Sequence, residues 1–357
     1  MKERKITGVI KTIRKGMGFL PDPKDTENDI VIESDNLNFA LNGDTVEVIM
    51  LAEKPEKMGK VVKVVERART IFVGTVETRE GKTGVVPDDR KMYVDIMLSA
   101  SETSKVSSGD KVQVELMTWT DPKKNPEGKI LRVIGKKGEN NAEMESIVLE
   151  KGFETSFPPA VEKEAEEIER TEKIITAEEI AKRRDMRGTL TLTIDPFVAK
   201  DFDDAISFRG LGNGKYEIGV HIADVSHYVR EGTSLDKEAV KRGCSIYLVD
   251  RTIPMLPEVL SNDVCSLNPH EDKLSFSAVF IMNDKAEVLE RWFGKTVMNS
   301  NFRFTYETAQ ETLDAKKGAH FKELNALNII AKILQKEKFA QGAIEFEQEE
   351  IKFKLDE

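Results

Sequence analysis

Residues 193–206 of the chain read TIDPFVAKDFDDAI. Within this otherwise apolar segment, ten residues hold four aspartates, Asp195, Asp201, Asp203 and Asp204. Carboxylates this close repel one another, so a fold that gathers them needs a compensating charge. A divalent cation is the usual one, and oxygen ligands without a nearby cysteine or histidine suit magnesium or manganese. The segment therefore predicts a magnesium site, with manganese as the alternative metal.

The residues around the aspartates predict how their side chains meet. Residues 189–194 alternate as a strand does, and the proline after Asp195 ends that strand. Asp201 and Asp203 share a face if the following segment is extended, whereas Asp204 points the other way unless the backbone bends. We therefore expect acids from a strand end and from the next loop to converge on one point.

This region has two other interpretations, a calcium-binding loop and a site that uses the nearby histidines. A calcium loop of the EF-hand type would need glycine in place of Ile206 and glutamate in place of Gly212, so it is excluded. Metals held by shared aspartates activate water for phosphodiester cleavage without a histidine nucleophile. His221, His227 and Asp224 are therefore predicted to be structural, with His221 on the strand face opposite Ile218, Val220 and Ile222.

Composition sets the broad class. The chain has 357 residues, enough for two or three domains. It has neither a membrane-length apolar run nor a signal peptide, so we expect cytoplasmic residence and no membrane partner. The net charge of −10 divides into about +2 for residues 1–140 and about −12 for the remainder, which leaves a nucleic-acid partner open. Cys244 and Cys265 are predicted to be buried free thiols.

Residues 1–137 predict two copies of one β-rich module. Alternating valines at 46 and 48 return at 112 and 114, a shift of 66 residues. A constant register over whole modules indicates internal duplication. Period-two alternation between turn residues is typical of strands in a small antiparallel barrel. The turn residues repeat at the same shift, as Gly8 and Gly74, Gly18 and Gly84, Pro21 and Pro87, and Gly43-Asp44 and Gly109-Asp110.

Each module predicts an OB-type barrel, a common reader of single-stranded nucleic acid. In the loop KGMGF at residues 15–19, Lys15 offers a charge for phosphate and Phe19 a ring for base stacking. This loop resembles the first RNA-binding motif of cold-shock domains, whose second motif is weaker here because Val31 replaces an aromatic. Val85 occupies the position of Phe19 in the second copy, which is expected to bind more through charge or to serve as a spacer.

After residue 137 the pattern changes to helices. Val161, Ala165 and Ile168 have helical spacing behind two prolines. A second helix is predicted to begin at Thr176, with Glu179 completing a capping box. Arginines at 183, 184 and 187 are expected to end it, and residues 324–339 predict an amphipathic helix. The predicted domains are residues 1–66, 67–140 and 141–357.

Three strings in order resemble the ribonuclease II/ribonuclease R exoribonucleases, the RNB family. They are TIDPFVAKDFDDAI, then HIADVSHYV at residues 221–229, then SIYLVDRTIPMLPEVLSNDVCSLNP at residues 245–269. The duplicated barrel in front of them fits the ribonuclease R branch. The resemblance implies a β-rich α+β protein. Two OB-type cold-shock-like β-barrels would be followed by the N-terminal part of a mixed α/β RNB catalytic domain.

The resemblance also implies a reaction and residue roles. The family removes nucleoside monophosphates from RNA 3′ ends by magnesium-dependent hydrolysis. Carried over by position, Asp195, Asp201 and Asp204 would hold metal, and Asp203 would matter most for cleavage. Tyr247 and Tyr306 match aromatics that stack on bases, although either tyrosine is also compatible with a place in the core. The implied partner is RNA with a single-stranded 3′ end, bound by a monomer.

The chain departs from the family pattern at its end. The family's catalytic domain continues beyond GAIEFEQEEIKFKLDE, residues 342–357. A later arginine-bearing motif and a basic C-terminal barrel are absent, so a truncated catalytic domain is expected. The alternative function is therefore a non-catalytic RNA-binding fragment that acts through the two barrels.

Overall fold

The first β-barrel lies in the first of two units into which the chain divides, Met1–Thr155 and Ser156–Glu357. The computed structural model describes residues 4–13, 16–52 and 56–345. The sheet order is β1-β5-β6-β4-β3-β2, and β1 and β2 are two halves of one strand bent at the buried Ile10, so the sheet closes on itself. Its strands are β1 Lys5–Val9, β2 Lys11–Ile13, β3 Met17–Asp22, β4 Asp25–Ile32, β5 Thr45–Ala52 and β6 Met58–Glu66.

The second barrel repeats this topology. In both barrels an antiparallel meander is closed by one parallel contact, β4 with β6 in the first and β9 with β11 in the second. Each barrel encloses its own apolar core. The second barrel has the closed order β10-β11-β9-β8-β7. Its elements are β7 Ile71–Arg79, β8 Lys82–Pro87, β9 Ile96–Leu98, α1 Ala100–Thr103, β10 Asp110–Leu116 and β11 Glu127–Lys136.

A repeated turn confirms the predicted duplication at atomic level. Gly43 and Gly109 have φ angles of +87° and +89°, a region that side chains disfavour. Their N–H groups donate to the carbonyls of Ile10 and Val76, both at 2.8 Å. The aspartate after each glycine is buried and accepts an N–H from three residues earlier, at 2.8 and 2.7 Å. Both copies therefore form this turn with the same left-handed glycine and the same buried aspartate.

Helices follow the barrels, and most of the helix predictions are confirmed. The three apolar residues predicted at helical spacing are buried on one face of α3. The Thr176 side chain accepts the N–H of Glu179, which confirms the N-cap, but the Glu179 carboxylate accepts from Arg183 instead of completing the predicted capping box. Among the described helices, none is long and apolar enough to cross a lipid bilayer. The helices are α2 Asn140–Glu150, α3 Pro159–Glu172, α4 Ala177–Ala181, α5 Val225–Tyr228, α6 Ser234–Arg242, α7 Tyr306–Ala315 and α8 Phe321–Ala340.

The prediction that arginines cap α4 is wrong. The helix ends at Ala181, and the side chain of Arg183 is fully buried between Glu179 and Asp224, at 2.8 and 2.7 Å. A buried guanidinium needs charged partners, and here one is Glu179 of α4 itself and the other is Asp224, from a distant part of the chain. The cysteine prediction is half right: Cys265 is buried, but Cys244 is exposed. Cys244 follows Gly243, whose left-handed conformation ends α6.

A mixed sheet forms the centre of the second unit. Its order is β12-β19-β18-β15-β14-β13-β20, with parallel pairs at both edges. The β16–β17 hairpin and a π-helical turn at Val259–Val264 complete the elements of this unit. The strands are β12 Arg184–Asp185, β13 Thr191–Asp195, β14 Asp204–Gly212, β15 Lys215–Ala223, β16 Ile246–Tyr247, β17 Thr252–Ile253, β18 Asp272–Asn283, β19 Val288–Asn299 and β20 Phe302–Thr305.

The two faces of this sheet differ in chemistry. One face packs apolar side chains such as Ile218 and Met282 against Ile330 of α8. The opposite face contains buried polar side chains that bond across the strands, including Ser277 and Thr296. The interior strand β13 ends at the first aspartate, Asp195, and its neighbour β14 begins at the last one, Asp204. The β-rich α+β class with two OB-type barrels is thus confirmed.

Candidate active site

Asp195 lies at the end of β13, where the following proline cannot continue the strand because it lacks an N–H group. The parallel neighbour β20 places Thr305 opposite Asp195. Asp195 is 9% exposed. Its Oδ2 atom is buried and accepts no hydrogen bond from any described residue. A buried carboxylate oxygen without a donor is unusual and calls for a missing partner.

Phe202 anchors the second group of aspartates. Its side chain is buried in the core. Its N–H donates to Ser266 Oγ at 2.9 Å, and its carbonyl accepts the N–H of Leu267 at 2.9 Å. Asp201 and Asp203 flank this anchor on either side. Since the anchor is fixed at both backbone groups, the two flanking carboxylates project from a defined loop rather than from a free one.

The aspartates are close enough to perturb one another. Burial raises the pKa of Asp195, and the charges of Asp204 and Asp201 raise it further, against the opposing effects of the Thr193 hydroxyl and of Arg303. The pKa of Asp203 is also raised, first by desolvation of its carboxylate and then by Asp201 and Asp204, although the residue keeps solvent contact. The fold therefore brings the strand-end acid and the loop acids into one electrostatic cluster.

Tyr247 reaches this cluster from the β16–β17 hairpin. Its hydroxyl donates to Asp201 Oδ2 at 3.0 Å, while 67% of the residue is exposed. Desolvation and the bonded carboxylate raise its pKa. The alternative of a core position is wrong, because two-residue strands leave the ring in solvent. The ring stands beside the acidic cluster with an open surface.

Tyr306 begins α7 and is 56% exposed. It follows Thr305, the β-sheet neighbour of Asp195. Its side chain borders an apolar groove of about 620 Å³ between the sheet and the last two described helices. Tyr306 is therefore also outside the core, and β20 connects it to the acidic cluster.

The histidines of this region are structural, as predicted. His221 is fully buried, and its Nδ1 lies 2.6 Å from Ser277 Oγ. His227 lies 3.3 Å from the guanidinium of Arg183. Asp224 is buried between two cations, which hold its pKa low despite the opposing effect of burial. None of these groups forms part of the electrostatic cluster of aspartates.

Phe19, the predicted stacking residue of the first barrel, lies on the face of its strand that points away from the barrel core. Phe19 alternates with the buried Gly18 and Leu20 on β3, and is half-buried. Its cross-strand neighbours are Lys11 and Val31. Lys15 lies outside the described residues. The barrel surface thus combines an accessible ring with an adjacent lysine.

The sequence did not predict two residues whose side chains hold the acidic loop in place. Arg303 donates to three carbonyls between the aspartates, and Ser266 bridges the N–H of Phe202 and the carbonyl of Lys200. Both come from distant parts of the chain. The sequence signals are that Ser266 lies in the third string of the family resemblance, at residues 245–269, and that Arg303 stands three residues before Tyr306.

The donor set fits a divalent cation. The described residues contain no preformed group of three or more acidic, histidine or cysteine side chains at ligand spacing. The buried Asp195 Oδ2 nevertheless accepts no hydrogen bond, and the charges of Asp201 and Asp204 raise the pKa of both Asp195 and Asp203. Both features are those of carboxylates that need a cation. Asp195, Asp201 and Asp204 are the residues that would hold it.

Fold and site together define a class of modular proteins, in which OB-type barrels are followed by a mixed sheet with an acidic cluster at the ends of two neighbouring strands. Family models match along the chain, the Ribonuclease B OB domain at residues 8–65, the Cold shock domain at 85–158 and the RNB domain at 183–357. The chain belongs to the RNB family of ribonucleases.

Individual relatives agree. Ribonuclease R of Aquifex aeolicus is 34% identical over 99% of this chain and 50% of its own length, so the chain spans about half the length of such curated relatives. The solved RNase R of Mycoplasma genitalium, in complex with ribose methylated single-stranded RNA, matches with a TM-score of 0.87 and 25% identity over 99% of this chain and 56% of that one.

A third comparison concerns the fold alone. The yeast protein Ssd1, described as a pseudonuclease, matches with a TM-score of 0.67 and 19% identity, over 94% of this chain and 48% of its own. The same architecture therefore occurs with and without nuclease activity, and function has to be argued from the side chains of the site.

Proposed function

We propose that the chain carries the centre of a 3′-to-5′ exoribonuclease that hydrolyses RNA to nucleoside monophosphates, with magnesium or manganese as its metal. The observation that carries the proposal is the buried, unpartnered oxygen of Asp195 beside the charges of Asp201 and Asp204. The RNB domain match and relatives named ribonuclease R support RNA as the substrate.

The proposed roles follow from exposure and contacts. Asp195, Asp201 and Asp204 hold metal, and the Tyr247 hydroxyl keeps the Asp201 carboxylate in place. When bound, two divalent ions supply a lowered pKa for the attacking water and a counter-charge for the leaving oxygen. Asp203 keeps solvent contact and has a raised pKa, so its carboxylate is suited to take a proton from the attacking water.

RNA binding is proposed to use exposed rings and charge. Tyr247 and Tyr306 would stack on bases near the 3′ end, and Phe19 and Lys15 would contact the single strand at the first barrel. The exposure of Tyr247 and Tyr306, and the partial exposure of Phe19, support this assignment. The proposal includes action as a cytoplasmic monomer on single-stranded 3′ ends.

The test is hydrolysis of a 3′-tailed RNA in magnesium. Asp203→Asn should lower the rate of nucleoside monophosphate release by about 10²- to 10⁴-fold, the usual effect of removing an acid–base group. Asp284→Asn, at an exposed turn, is the matched control and should be unaffected. Monophosphate release is measured by chromatography. Release without magnesium, or equal rates for wild type and Asp203→Asn, would contradict the proposal.

A second candidate is RNA binding without hydrolysis. It is favoured by the absence of a preformed ligand cage among the described side chains. Under this alternative, the chain binds single-stranded RNA through its barrels, and magnesium produces no monophosphates. Manganese titration separates the two functions, because only the nuclease requires Asp195, Asp201 and Asp204 to bind metal.

A further inference from the structure

The loop between the two groups of aspartates is held by one side chain. Arg303 Nη2 donates to the carbonyls of Pro196, Phe197 and Ala199, at 3.1, 2.7 and 3.3 Å. Backbone N–H groups of the loop supply only one internal turn contact, from Ala199 to Pro196 at 3.1 Å. A single guanidinium thus binds three carbonyls of this loop.

The origin of this arginine makes its position rigid. Arg303 lies on β20, directly opposite Thr193 in the parallel pair with β13. Its guanidinium also lies 4.9 Å from the ring centroid of Phe202, the buried anchor of the loop aspartates. The same side chain therefore contacts the segment that follows Asp195 and the anchor that precedes Asp203.

The exposed surface of the loop at residues 196–199 shows why the contacts from Arg303 matter. The side chains of Phe197 and Val198 are 76% and 81% exposed, so apolar burial does not fix the tip of the loop. Repulsion between the carboxylates at its two ends favours a wider opening. Hydrogen bonds from a charged donor to backbone carbonyls are the stronger kind, and here they oppose that opening.

We propose that Arg303 is a positioning residue that fixes the loop at residues 196–199 and thereby sets the spacing between Asp195 and the aspartates at 201–204. The role of Arg303 in metal binding rests on the proposed function, whereas its effect on the conformation of the loop does not. The Nε atom of Arg303 is buried without a hydrogen-bond partner among the described residues, so the carbonyl contacts are made through the outer end of the guanidinium.

The first measurement is independent of metal and of activity. In Arg303→Met, amide hydrogen exchange of the peptide that covers residues 196–203 should accelerate at least about tenfold, because local opening no longer breaks three charge-assisted bonds. Arg303→Lys should give an intermediate rate, because an ammonium retains donors without the planar fork. Arg291→Met, an exposed arginine of the same sheet, should exchange like wild type.

The second measurement is manganese affinity, followed by electron paramagnetic resonance. Arg303→Met should weaken affinity about 10- to 100-fold, the usual cost of losing a residue that orients ligands. Unchanged exchange in this loop, or faster exchange with unchanged manganese affinity, would overturn the assignment. If the wild-type chain binds no manganese, the proposed function fails, and loop exchange alone decides whether Arg303 fixes the loop.

Discussion

His221 links the stability of the sheet to pH through one imidazole. The residue is fully buried and bonds to Ser277. Burial, with a smaller effect of the Arg184 charge, lowers its pKa from 6.5 to about 4. The imidazole is therefore neutral in the folded chain near pH 7, and also at mildly acidic pH, where an exposed histidine is protonated.

His221 should contribute to the pH dependence of the free energy of unfolding. Between pH 6.5 and about 4 the unfolded chain binds the proton that folded His221 does not, so the free energy of unfolding falls as pH falls. The contribution is on the order of 2 kcal/mol between about pH 7 and about pH 5. Urea unfolding of the second unit can be followed by Trp292 fluorescence in a Trp119→Phe background.

Two variants separate His221 from the other titrating groups. His221→Asn should unfold more easily at every pH, but with a shallower dependence in this window. His270→Asn removes an exposed histidine and should keep the wild-type slope. An unchanged slope in His221→Asn would show that the imidazole is not the group responsible.

At this scale the sequence identified the acidic residues but not their surroundings. Four aspartates in a short run are visible as a pattern because their repulsion is local. The unpartnered Asp195 oxygen and the hydrogen bond from Tyr247 depend on strands brought together by the fold. Arg303 acts on the loop from about a hundred residues away, so no local pattern could reveal it.

The repeated glycine turn is the clearest element-scale feature. Gly109 has a φ angle of +89°, and an added Cβ at this position would meet no atom within 4 Å. The cost of a side chain there is therefore backbone strain alone. Gly43 has the same conformation, but its added Cβ would also approach Ala68 at 3.2 Å.

Substitution at Gly109 measures that strain. Gly109→Ala should destabilise the second barrel by about 1–2 kcal/mol, the cost of the left-handed region for an ordinary residue. Gly109→Asn should cost less, because asparagine tolerates this conformation. Urea unfolding monitored at Trp119 in a Trp292→Phe background reports the barrel. Equal stability of wild type and Gly109→Ala would contradict the assigned turn.

Elements were predicted well where a local pattern decided them. The duplicated strands, the buried face of α3 and the Thr176 cap each depend on residues close in sequence. The arginines after α4 were misassigned because Arg183 finds its partner Asp224 in another element. Burial and tertiary pairing, rather than the helix dipole, determine where that charge lies.

At the scale of the whole molecule, the proposed RNA contacts of the first barrel and the proposed metal site lie in separate units. The barrels belong to Met1–Thr155 and the acidic centre to Ser156–Glu357. Each unit has its own hydrophobic core. Variants of the first barrel should therefore change the binding of single-stranded RNA without changing metal binding in the second unit.

A pair of variants tests this separation. Phe19→Ala should weaken binding of single-stranded RNA by about 1–3 kcal/mol through loss of stacking, while manganese affinity stays unchanged. Phe19→Tyr keeps the ring and should bind like wild type. Asp203→Asn should leave RNA binding at the barrels intact. Fluorescence anisotropy measures RNA affinity, and unchanged affinity in Phe19→Ala would remove Phe19 from the binding surface.

The shared topology of the two barrels also creates a hazard for the newly made chain. Strands β5 and β10 occupy equivalent places and carry identical valine pairs, so each fits the core intended for the other. Exchange of such strands between tandem repeats is a recognised route to misassembly. The parallel closing contact comes last in each module. A barrel that completes it before its neighbour is synthesised offers no open edge for exchange.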